Sequence, residues 1–133
     1  MRDIIPSIFF FFFTLSTTVF AQQPPMTIIS SWDFENVGAA RRYIEKYQVP
    51  ELDRLVEEGK ILNWGYMQHY MADEYDIIYW YELNGIDDYW DITTEVASRI
   101  RKKATKEEMK VHSENIINHK DGIYAIRHRK AKN

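Results

Sequence analysis

The stretch Gly59 to Leu83, GKILNWGYMQHYMADEYDIIYWYEL, restricts what this chain can fold into more than any other part of it. Two runs rich in aromatic and β-branched residues flank a short polar break at Ala72-Asp73-Glu74, the composition of two strands closing on a turn. With the turn centred between Ala72 and Asp73, one face of the hairpin pairs Leu62 with Leu83, Trp64 with Tyr81, Tyr66 with Tyr79, Gln68 with Ile77 and Tyr70 with Tyr75. The other face pairs Asn63 with Glu82, Gly65 with Trp80, Met67 with Ile78 and His69 with Asp76, because side chains alternate along a strand. Cross-strand pairs contribute roughly 0.2–1 kcal/mol each, and an isolated hairpin is marginal in water. Both faces therefore need cover from the rest of the chain or from a second copy.

Residues 1–21 read as a secretory signal: Arg2 near the start, an apolar run from Ile8 to Phe13 that continues loosely to Phe20, and small Ala21 before Gln22. The run is too short and too interrupted by Ser and Thr to span a bilayer, which takes about 20 apolar residues. Residues 22–26 form a linker-like lead-in, and 27–133 are expected to form one domain. The chain has no cysteine, which excludes a disulfide scaffold and a Cys-ligated metal. Together with the signal, this predicts a secreted or periplasmic protein with no membrane attachment after cleavage. The formal net charge of −3 argues against nucleic acid as a partner.

Around the hairpin, Met26 to Trp32 reads as a first strand. Asp33 or Asn36 caps a helix with Val37, Ala40, Ile44 and Tyr47 on one side. Pro50 is expected to stop that helix and start a second, which Gly59 ends. Beyond Asn84-Gly85, a helix is expected with Ile86, Tyr89 or Trp90, Thr93, Val96 or Ala97, and Ile100 as its buried stripe. Thr105-Lys106-Glu107-Glu108 is a capping-box pattern opening another, with Met109, His112, Ile116 and His119 along one side. Asp121-Gly122 then reads as a turn and Ile123–Arg129 as the last strand. The order is the βαββαβ of an α+β, ferredoxin-like domain, a four-stranded antiparallel sheet with helices on one face. The bare face of such a sheet is apolar enough here to predict a homodimer.

Gly59-Lys60-Ile61-Leu62-Asn63-Trp64-Gly65 followed by Glu74-Tyr75-Asp76-Ile77-Ile78-Tyr79 resembles the central hairpin of the dimeric α/β-barrel superfamily, and within it uncharacterised secreted bacterial members. The resemblance implies two subunits joined sheet to sheet, each with a small pocket between sheet and helices. Members similar in shape include cofactor-independent monooxygenases of antibiotic biosynthesis, haem-degrading enzymes and plain stress-response proteins. The haem-degrading type relies on an Asn, Trp and His set; Asn63, Trp64 and His69 offer the residue types but crowd one strand, so those roles are not carried over.

Three constellations carry candidate chemistry. His69 opposite Asp76 has the make-up of a general base with its orienting carboxylate. Asn63, Gly65, Met67, Ile78, Trp80 and Glu82 form a face with an apolar middle and polar ends, suited to a small apolar or aromatic ligand, with Gly65 leaving space over Trp80. Trp64, Tyr66, Tyr70, Tyr79 and Tyr81 form an aromatic wall suited to a dimer interface. His112 and His119 lack the further ligands a metal site requires, and His128 reads as a surface residue. No phosphate loop, nucleophile elbow or HExxH occurs, so no metal or cofactor is expected. The function expected is a small-ligand binding dimer; the alternatives are a cofactor-independent monooxygenase or a haem-binding protein.

Overall fold

The computed structural model describes residues 25–71 and 74–127. The expected signal segment, the turn centre at Ala72-Asp73 and His128 lie outside these residues. The elements run β1 (Met26–Phe34), α1 (Val37–Tyr43), a π-helical segment (Ile44–Gln48), α2 (Val49–Glu57), β2 (Asn63–Gln68), β3 (Ile77–Leu83), α3 (Asp88–Arg101), α4 (Lys106–Glu114) and β4 (Ile116–Ala125). All strand pairs are antiparallel and the sheet order is β2-β3-β1-β4, the ferredoxin-like arrangement.

Local chemistry explains most boundaries. Asn36 caps α1 by accepting the Ala39 N–H at 2.9 Å. Gly59, at φ 70°, ends α2: its N–H reaches the Val56 carbonyl and the Lys60 N–H reaches that of Leu55, satisfying carbonyls the helix leaves open. Thr105 and Glu108 form the expected capping box at α4.

The expected break at Pro50 does not occur. Residues 37–57 are helical without interruption, because the segment before the proline widens to a π turn in which the Val49 N–H bonds the Ile44 carbonyl. Proline has no N–H to donate and its ring crowds the carbonyl four residues back. The wider turn accommodates both deficits.

Strand β2 pairs with β3 in the expected register, Asn63 with Glu82 through Gln68 with Ile77. The roles of its two faces are exchanged. The expected interface wall turns toward the helices: Tyr81 and Leu83 pack with Leu52, Leu55 and Ile92, and Ile77 and Tyr79 with Ala40 and Ile44. The set expected to meet a ligand between sheet and helices lies instead on the bare side. Burial decided this: β1 brings Ile28 opposite Tyr81, so the wall continues across the sheet as the more apolar face, and the amphipathic helices cover that one.

The last strand begins at Ile116 rather than Ile123, and Asp121-Gly122 sits within it. Pairing along all of β1 outweighs the local turn signal. Ile116 and His119 consequently belong to β4, not to the helix carrying His112. In α3, Tyr89, Ile92 and Ile100 are buried while Trp90 is 72% exposed, which settles the expected stripe in favour of Tyr89. Ion pairs link the α2 region to the α3 region: Arg99 bonds Glu58 and Glu95, Lys60 bonds Glu95, and Lys103 pairs with buried Glu51.

Candidate functional site

Between the covered face of the sheet and the helices lies a cavity of about 390 Å³. The sheet supplies Trp32, Phe34, Tyr79 and Tyr81; α3 supplies Ile92, Val96 and Ile100. Walls of this kind with a few polar groups are the usual design for a small, largely apolar ligand.

The polar groups gather at two places. At one, the π segment carries Gln48 over the sheet, where its Oε1 accepts the Tyr79 hydroxyl at 2.6 Å. Burial pushes the Tyr79 phenol far above its ordinary value, so it stays a donor. At the other, Ser30 Oγ donates to Asp121 Oδ1, and the Tyr89 hydroxyl donates to Asp121 Oδ2 at 3.3 Å. Burial raises the Tyr81 phenol beside this group, with Tyr89 and the Asp121 carboxylate acting in the same direction.

His112 closes one side of the cavity. Its ring stacks on Tyr43 at 3.9 Å and 9°, with Phe34 at 5.7 Å. Its Nδ1 is buried and has no hydrogen-bond partner among the described residues. Burial lowers its pKa from 6.5 to about 4, so at neutral pH the imidazole is uncharged and one nitrogen is an acceptor. His112 also lines a groove of about 330 Å³ on the outer side, between α1 and α4.

His69 and Asp76 meet through the backbone, His69 N–H to the Asp76 carbonyl at 2.7 Å. The Asp76 carboxylate, however, turns to β1, accepting the Phe34 N–H at 2.9 Å and lying beside Asp33, whose pKa rises through burial and this neighbour. The expected free space over Trp80 is absent: the indole lies on Gly65 itself, where an added Cβ would come within 2.7 Å of the ring. Asn63, Met67, Ile78 and Glu82 share that bare face. Of the wall residues, Trp64 donates to Asp53 on α2 at 2.9 Å and Tyr66 to Glu45 at 3.1 Å, whereas Tyr70 is 97% exposed. His119 stacks on Trp32 at 4.4 Å. Among the described residues no group of three or more His, Asp or Glu is placed to hold a metal ion, and no helix is long and apolar enough to cross a membrane.

Ser30 and Gln48 escaped the sequence reading, and Tyr89 and Asp121 entered it only as a buried-stripe residue and a turn residue, not as site residues. A serine at a core-facing parity in β1 was the available signal, and Asp121 was obscured by its resemblance to a turn residue.

The sequence matches no protein-family model and no curated protein. The fold is shared with solved structures. A dimeric ferredoxin-like protein from an uncultured marine organism superposes with a TM-score of 0.61 at 11% identity, covering 81% of this chain and 100% of its own. A dimeric protein of unknown function and ferredoxin-like fold from Bacteroides fragilis gives 0.57 at 13%, covering 79% and 99%. SnoaB, a cofactor-independent oxygenase from Streptomyces nogalater, gives 0.50 at 6%, covering 82% of this chain and 99% of its own.

Proposed function

We propose that this ferredoxin-like chain works as a homodimer whose subunits each hold one small, largely apolar or aromatic molecule in the cavity between sheet and helices. The observation that carries this reading is the cavity itself, walled largely by aromatic and aliphatic side chains with a few hydrogen-bonding groups among them. The dimer is inferred from the bare sheet face, where Met67 is 53% and Tyr124 55% exposed beside Ile29, Ile78 and Trp80, and from the dimeric descriptions of structures sharing the fold. The N-terminal 21 residues are proposed to direct export, so that the dimer works in the periplasm or outside the cell.

Native mass spectrometry of the mature protein from its own host tests assembly and cargo together. A dimer with a small-molecule adduct is expected. A monomer would sink the dimer, and failure of any small apolar molecule to bind at millimolar concentration would sink the cavity reading.

A second reading, turnover without a cofactor, is favoured by one observation: a neutral histidine at the cavity wall with a buried, unpartnered nitrogen. In it, His112 takes a proton from an activated aromatic substrate and dioxygen is the oxidant. Oxygen consumption with a phenolic substrate that survives His112→Phe would remove His112 from such a reaction.

A further inference from the structure

The cavity of the proposed function has an electrostatic polarity that narrows its ligand. Among the described residues none that lines it is a lysine or arginine, and its histidine is uncharged at neutral pH. The charge that stands next to it is negative. Ser30 lines the cavity and donates its hydroxyl hydrogen bond to Asp121, which also accepts one from the Tyr89 hydroxyl. A carboxylate offers about four acceptor positions, and these two bonds leave the others open. Asp121 forms no ion pair with a lysine, arginine or histidine among the described residues, although Glu51, Glu58, Glu95 and Glu108 all do. Tyr81 stands beside it, and Trp32, whose ring also stacks on His119, lines the same cavity; aromatic rings attract a cation through their quadrupole.

We infer that the ligand is an arylalkylamine, its ring between Trp32, Tyr79 and Tyr81 and its ammonium on Asp121. An ammonium brings three donors to an acceptor group that has no cationic partner among the described residues. An aromatic carboxylate would bring like charge to Asp121 with no cation in the walls to offset it. This inference rests on the cavity reading above and adds the sign of the ligand's charge.

Three probes with the same ring separate the two: tryptamine, 3-ethylindole and indole-3-acetate, each titrated into the full-length mature protein and followed by calorimetry at pH 7. Tryptamine is expected to bind about tenfold more tightly than 3-ethylindole, a difference near 1.4 kcal/mol, and indole-3-acetate more weakly than either. Asp121→Asn should bring tryptamine down to the level of 3-ethylindole and leave 3-ethylindole unchanged. The substitution keeps the shape and the Ser30 bond, and Asp121 is exposed enough to be changed without unfolding the chain. Equal affinities for tryptamine and 3-ethylindole, or a tryptamine preference that survives Asp121→Asn, would overturn the amine while leaving the cavity reading intact. If none of the three binds, both fall.

Discussion

Asn36 and Asn115 hold each other twice: the Asn36 N–H donates to Asn115 Oδ1 at 2.7 Å, and Asn115 Nδ2 donates back to the Asn36 carbonyl at 3.0 Å. The Glu35 N–H adds a third bond, to the Asn115 carbonyl at 3.0 Å. Asn36 follows β1 and caps α1, while Asn115 lies between the end of α4 and the start of β4. The Asn115 side chain, bonded to the Asn36 backbone, therefore ties together the two junctions that flank the end of the sheet nearest His112.

Asn115→Ala removes two hydrogen bonds at exposed positions, each contributing about 0.5–1.5 kcal/mol. A loss of about 1–2 kcal/mol in urea unfolding is expected. Asn36→Ala should cost about as much by a different route, since it loses the α1 cap but keeps its backbone partners for Asn115. Because Asn115 bonds only the backbone of Asn36, a double-mutant cycle should give a coupling below about 0.5 kcal/mol; a larger coupling would mean that the cap and the clamp form together.

The two glycines on the bare face should respond differently to alanine. At Gly65 the new methyl meets the Trp80 indole at 2.7 Å, and at Gly122 it meets the Tyr124 ring at 2.6 Å. Trp80 is half-buried in the middle of the sheet, whereas Tyr124 is 55% exposed and can swing away. Gly65→Ala is expected to destabilise by about 1–3 kcal/mol and Gly122→Ala by less than about 1 kcal/mol, read from thermal or urea unfolding.

The sign of the His112 shift sets a pH window. Its pKa falls from 6.5 to about 4 on folding, so between those values the unfolded chain holds more protons and stability rises with pH. The contribution is complete above pH 6.5 and is lost as pH falls toward 4. With allowance for partial exposure it amounts to about 1–2 kcal/mol. His112→Phe keeps an aromatic ring against Tyr43 and should flatten the profile across this window; an unchanged slope would assign the loss to other groups.

Met67→Glu and Tyr124→Glu place charges where the single chain leaves more than half of the side chain exposed. They should leave the fold of each subunit intact, and together they should shift a sheet-to-sheet dimer to monomer in light scattering. A dimer that persists with both charges would have to use another surface.

Much of the fold was legible because it rests on signals a few residues long. Alternation of apolar and polar residues set the pairing of Asn63 with Glu82 and of Trp64 with Tyr81, and short-range capping chemistry marked Asn36, Gly59 and Thr105. Where a local signal competed with a distant partner, the partner prevailed. Asp121-Gly122 reads as a turn until β1 is laid beside it, when Ser30 takes the carboxylate and the strand runs through. Pro50 reads as a break until the preceding residues widen their turn.

The site was less legible because it is made between elements. Gln48, Ser30, Asp121 and His112 are far apart in sequence, and no spacing among them signals a shared cavity. By itself the sequence determined the order of strands and helices and the register of the central hairpin, since alternation and caps act over a few residues. The tertiary structure decided which sheet face the helices cover, because burial is summed over the whole sheet and that sum includes Ile28 on a strand distant in sequence. That choice moved the cavity to the tyrosine side, away from His69, and left the face of Trp80 and Met67 bare of helices.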